Sequence, residues 1–212
     1  IMTPNPSINT DWRDKAAPAG YVKRSASQET VSQLHHQELT AVVLATPWLM
    51  RALEAGASLN LASWCIGAGA VRNAVWDHLH GYAEPSALSD IDFAYFDASN
   101  MSKSAENHVQ ARLEAALPGV PWEATNEVAV HLWFESHFGH PVAPLTSLRE
   151  SVASWPEYAT SVAVSYSKDH AIEVIAPHGL TDLFAMQVRR NPTRVRLTTY
   201  AQRIAQKQYA KR

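Results

Sequence analysis

Residues 64–97 read WCIGAGAVRNAVWDHLHGYAEPSALSDIDFAYFD, and the order of elements within this stretch decides the fold. The apolar run Leu59 to Ile66 stops at Gly67-Ala68-Gly69, after which Val71, Val75, Trp76 and Leu79 recur at helical spacing up to Gly81. That is a strand, a tight turn and a helix. A polar loop leads to a second strand, Ser89 to Phe96, which carries Asp90 and Asp92 and closes on Asp97. Residues two apart on a strand share a face at about 6.6 Å separation, so the two carboxylates stand side by side. Like charges this close repel each other unless a cation lies between them.

Working outward, the pattern Val31, Leu34, Leu39, Val42, Val43 predicts an amphipathic helix from Ser27, with Ser25 and Gln28 spaced as a capping box. Pro47 interrupts it, and a second short helix ends at Gly56. Beyond the core stretch, a helix is expected over Ala105 to Leu117, then a strand over residues 121–132, where apolar and polar residues alternate, then an irregular loop. Ser147 and Glu150 form a second capping box. Thr160 to Tyr166 and Ala171 to Ile175 read as a β-hairpin, Leu180 to Val188 as a short helix, and Asn191-Pro192 as the start of a last, basic helix. The expected organisation is a poorly packed arm over residues 1–24, one domain over 25–190 and a basic helix over 191–212 packed on it. The fold class is mixed α/β (α+β), a small mixed β-sheet flanked by helices.

At 212 residues and 46% hydrophobic, the chain can bury a full core. A net charge of −2 provides no global positive field that would recruit a polyanion. The single cysteine, Cys65, excludes an internal disulfide and lies in an apolar run, as a buried small hydrophobe would. No apolar run reaches about 18 residues, so no membrane partner is expected and the reading places the protein in the cytoplasm. Ten histidines are present without zinc-ligand spacing.

The chemistry therefore falls to the turn and the carboxylate strand. A Gly-Ala-Gly turn that opens a helix presents backbone N–H groups and the positive end of the helix dipole, a seat for phosphate. Gly67 and Gly69 allow close backbone approach, and Arg72, one turn on, could add a fixed cation. Asp90 and Asp92 suit Mg²⁺ (or Mn²⁺), a hard ion held by carboxylates, water and substrate phosphates. Phosphate seat and metal carboxylates together describe a site for nucleotidyl transfer.

At these residues the sequence resembles the nucleotidyltransferase superfamily with the DNA polymerase β-like fold. The superfamily signature is a hydrophobic residue, Gly and a small residue, then an Asp-hydrophobic-Asp pair. Here these are Ile66-Gly67 with Ala68 or Gly69, and Asp90-Ile91-Asp92. More closely, it is similar to a family of bacterial nucleotidyltransferase-like proteins. That likeness rests on Trp64 with GAGAVRNAVWDHLHGY, SDIDFAYFD, Trp122, Asn126, His131, Pro177 to Leu183, Arg203 and Lys207. The resemblance implies transfer of a nucleoside monophosphate from a nucleoside triphosphate to an acceptor hydroxyl, the acceptor being RNA, a protein or a small molecule. It implies that Gly67, Ala68, Gly69, Arg72 and Asn126 contact the nucleotide and that Asp90 and Asp92 hold the metals. A third carboxylate is Glu123, with Glu127 the alternative. Ala68 and Ala70 stand where the superfamily usually has a phosphate-touching Ser. A nucleotide-binding or regulatory module without turnover is the alternative function, and a non-catalytic interaction protein is the third.

Overall fold

The computed structural model describes residues 26–201 apart from 168, 198 and 199. The arm over residues 1–24 and the tail residues Arg203, Lys207, Lys211 and Arg212 lie outside them. Two helices lead in: α1 (Ala26–Leu44) and α2 (Pro47–Ser58), the latter with Pro47 in its first turn. β1 (Trp64–Gly67) runs into α3 (Gly69–His80), which ends on left-handed Gly81. β2 (Ile91–Tyr95), α4 (Lys103–Ala116) and β3 (Trp122–Asn126) form a parallel crossover. Next come α5 (Val130–Phe138), α6 (Leu148–Ala153), the hairpin β4 (Ala163–Tyr166) and β5 (Ile172–Ile175), and α7 (Thr181–Phe184). The five strands pair in the order β3-β2-β1-β4-β5, all antiparallel except β2 with β3.

Alternation along each strand divides the sheet into two faces. Trp64, Ile66, Ile91, Phe93, Tyr95, Trp122, Ala124 and Val164 pack with α1 to α4 into the main core. Its centre is aromatic: Trp64 stacks on Phe93 at 5.3 Å between centroids, and Trp122 meets Phe93 edge-on at 6.3 Å. Gly56 of α2 is required here, because a Cβ would lie 2.6 Å from the Trp64 ring. The opposite face is covered over β1 and β4 by α6, where Cys65, Ala94 and Ala163 meet Leu148 and Val152.

Three expectations are corrected. The strand over 121–132 ends at Asn126; a 3-10 turn (Glu127–Ala129) then leads into α5, which takes up most of the expected loop. The Asn126 side chain ends the ladder by taking the partners a further strand residue would use: its Oδ1 accepts from Asp97 N at 3.1 Å and its Nδ2 donates to Asp97 O at 2.9 Å. Beyond it the buried residues Val130 and Phe134 are four apart, a helical spacing that the local alternation concealed. In α1 only Leu39, Val42 and Val43 of the expected stripe are buried, while Val31 and Leu34 are exposed. Asn191 does not open a helix. Buried, it donates to the Ala153 and Trp155 carbonyls and accepts from Thr193, which makes residues 192–194 a turn. The Ser147 cap is as expected, accepting from Glu150 N, but the Glu150 carboxylate reaches back to Thr146.

Candidate active site

The turn between β1 and α3 is strained. Ala68 sits at φ 50° and ψ −117°, a conformation that non-glycine residues avoid at a cost of about 1–3 kcal/mol. It is held there by Ala68 N donating to Val162 O at 3.1 Å and by its own carbonyl accepting from Arg72 N at 3.1 Å. Ala68 and Gly69 are partly exposed, and the first N–H groups of α3 have no intrahelical acceptor. The two glycines differ. A Cβ at Gly67 would lie 2.5 Å from the Trp155 ring, whereas at Gly69 the nearest atom would be Arg72 Nη2 at 3.8 Å.

Strand register brings the carboxylates to the same end of the sheet. Ile66 pairs with Phe93 in the antiparallel β1–β2 ladder, so Gly67 comes alongside Asp92. On the other flank Asp92 is the direct partner of Glu123 in the parallel β2–β3 ladder. Alternation puts Asp92 and Glu123 on the face opposite the aromatic core, with Asp90 just ahead of β2; Asp90 and Asp92 are partly buried and Glu123 is exposed. Among the described residues no group of three or more His, Cys, Asp or Glu side chains is close enough to cage a metal.

Glu127, the residue that follows β3 and opens the 3-10 turn, shares this environment. Burial lifts its carboxyl from the ordinary 4.5 to about 7, against a hydrogen bond from Trp155 Nε1 and the charge of Arg194, with Asp92 and Glu106 adding to the rise. The Cys65 thiol is likewise pushed up, by burial first, then by Glu127 and Asp92. Glu123 and Glu127 open into a cleft of about 1260 Å³ along the outer edge of β3, walled by Trp133 and Phe134 of α5, by Trp155 and by Arg194. Arg194 stands over the Phe134 ring at 5.8 Å and donates to Ala143 O at 2.5 Å. On the far wall Glu106 and Gln110 of α4 bond the free edge of β3, accepting from Asn126 N at 2.9 Å and Ala124 N at 2.8 Å. Trp155 and Arg194 carry no local signal in the sequence; they meet Glu127 only through the tertiary fold.

Of the two other expected nucleotide contacts, Arg72 stays at the turn, its Nη2 3.8 Å from where a Cβ at Gly69 would lie, and Asn126 is turned to the segment after β2. Arg72 is buried, with Nε and Nη2 both donating to Asn73 Oδ1 and its guanidinium over Trp76 at 5.4 Å. Asn126 is 2% exposed, and its amide is taken up by the Asp97 backbone and the Asn100 carbonyl. Neither lines the cleft.

The chain is similar to a solved structure described as "The NMR structure of the protein reveals a CCA-adding enzyme head domain"; the identity is 27% and the TM-score 0.70, covering 82% of this chain and 91% of that one. No curated protein matches the sequence. A protein-family profile described as Nucleotidyltransferase matches residues 54–212, about three quarters of the chain, from the middle of α2 onward. With a five-stranded mixed sheet of the same fold beneath that match, the chain belongs to this nucleotidyltransferase family.

Proposed function

We propose that the protein transfers a nucleoside monophosphate from a nucleoside triphosphate to an acceptor hydroxyl, with Asp90, Asp92 and Glu123 as the acidic centre and the 67–69 turn as the phosphate seat. One observation carries this reading: register aligns the turn on β1, Asp92 on β2 and Glu123 on β3 side by side at one end of the sheet. The free N–H groups of α3 at Gly69 and the dipole behind them favour the triphosphate. Ala68, strained but without a hydroxyl, contributes backbone only.

The donor set suits Mg²⁺ or Mn²⁺. These are hard oxygen ligands too few for a cage, and Mg²⁺ characteristically takes one or two carboxylates and completes its shell with water and phosphate oxygens. Asp90 and Asp92 would hold it, and the bound ion would offset charge developing on the transferred phosphoryl group. Glu123, exposed beside Asp92, would accept the proton of the acceptor hydroxyl, a role its pairing with Asp92 supports. Among the described residues no helix is long and apolar enough to cross a membrane.

The test is thermal unfolding with Mg²⁺ or Mn²⁺ and each of the four nucleoside triphosphates, in the wild type and in Asp90→Asn/Asp92→Asn. A ligand at 100 times its dissociation constant adds about 2.7 kcal/mol to the folded state. A metal-dependent shift for at least one nucleotide, absent in the double variant, is expected. No shift with any nucleotide overturns the reading, and a shift without pyrophosphate release in any acceptor screen favours a binding module instead.

A further inference from the structure

The cleft beyond β3 has its own character, distinct from the turn and from Asp90 and Asp92, none of which line it. Across the sheet the order is turn, Asp92, Glu123, cleft, following β1, β2, β3 and the outer edge of β3. In an in-line displacement the incoming hydroxyl approaches opposite the leaving pyrophosphate. With the triphosphate over β1, the cleft is on the acceptor's side.

Its walls are inconsistent with a polyanion. Among the described residues the charged groups facing it are Glu106, Glu123 and Glu127 against Lys103 and Arg194. Lys103 is already paired with Glu106, and Arg194 is held over Phe134 and against Ala143 O. Neutralising several phosphates needs several available cations, which these walls do not present. What the cleft calls for is a cation. Glu127, only 8% exposed, receives from the described residues a single long hydrogen bond, from Trp155 Nε1 at 3.3 Å, although a carboxylate can accept about four. A buried carboxylate so lightly satisfied is costly until a donor reaches it. Beside it Trp133, 42% exposed, offers a broad ring face to solvent. Tryptophan and carboxylate together attract an ammonium group and the carbon skeleton that carries it.

We infer that this cleft binds a small amine-bearing polyol, an amino sugar or aminocyclitol, with its ammonium at Glu127, its ring against Trp133 and a hydroxyl turned toward Glu123. The inference rests on the transferase reading for the fate of that hydroxyl, but not for the binding itself.

The experiment is calorimetric titration of the full chain, with and without Mg²⁺ and a nucleoside triphosphate. The probes are a panel of amino sugars and aminocyclitols, their N-acetylated counterparts and a short single-stranded oligonucleotide. Amine-bearing members should bind, N-acetylation should weaken them by at least about tenfold, and the oligonucleotide should not compete. Glu127→Gln, which keeps an acceptor for Trp155, should lose about the same factor. Trp133→Ala, a change at the surface, serves as a second variant and should weaken every amine probe. If nucleotide binds and no amine does, or if the oligonucleotide binds more tightly, the inference is overturned while the transferase reading stands. Amine binding without any nucleotide binding would do the reverse.

Discussion

On β2, Phe93 and Asp92 are one peptide apart and meet opposite surroundings. Phe93 is fully buried between Trp64 and Trp122, whereas Asp92 lies on the other face, partly exposed, between Gly67 and Glu123. The difference shows how a four- or five-residue strand can do two tasks. Odd positions of β2 anchor the sheet to the main core, while on the other face Asp92 carries charge and Ala94 packs beneath α6. Substitutions on the two faces should therefore separate stability from activity. Phe93→Ala should cost the most, about 3–5 kcal/mol in a denaturant titration, because it empties the centre of the aromatic stack. Asp92→Asn one residue away should leave the unfolding midpoint within about 0.5 kcal/mol while transfer is lost. If Asp92→Asn unfolds the protein, the two faces are not independent.

Glu127 tests the same contrast through pH. Its carboxyl titrates near 7 when folded and near 4.5 when unfolded, so the folded state holds the proton more tightly. Stability from this group is full below about pH 4.5 and declines as pH rises, until above about pH 7 the loss is complete. A shift of this size corresponds to on the order of 3 kcal/mol. Glu127→Gln should thus match the wild type at pH 4.5 and exceed it at pH 8, flattening the profile between. A profile unchanged by the substitution would show that the carboxylate is solvated in both states.

The legible parts of this architecture were those encoded within one element. The Ile66-Gly67-Ala68-Gly69 transition, the period of α3 and its stop at Gly81, and the Ser147 cap are each local, and each has its physical cause within a few residues. The end of β3 was not, because Glu127 to His131 alternates as a strand would. The deciding fact is that Asn126 satisfies the Asp97 backbone 29 residues away. The same limit applies to the candidate site. Asp90 and Asp92 announce themselves by spacing, but the pairing of Asp92 with Glu123 depends on a parallel register across α4, and the cleft depends on Trp155 and Arg194 arriving from distant segments. Arg72, a cation suitably spaced from a phosphate turn, keeps its guanidinium beside Gly69 while it is buried against Asn73 and Trp76.

The turn glycines carry the comparison to single atoms. At Gly67 a methyl group would meet the Trp155 ring at 2.5 Å and Ala163 Cβ at 2.9 Å, so Gly67→Ala should destabilise by about 1–3 kcal/mol through overpacking. Since Trp155 also donates to Glu127, the substitution should alter tryptophan fluorescence as well. Gly69 opens α3 in ordinary helical geometry with 3.8 Å to spare. Alanine is the better helix former, so Gly69→Ala should leave stability unchanged or raise it by less than about 1 kcal/mol. Its expected effect lies in binding, where the new methyl group would stand between the α3 N–H groups and a phosphate. Metal–nucleotide stabilisation should fall while the unliganded protein loses nothing. If it persists at full size, the phosphates do not approach the backbone at Gly69, and Gly67 is a glycine only because Trp155 requires it.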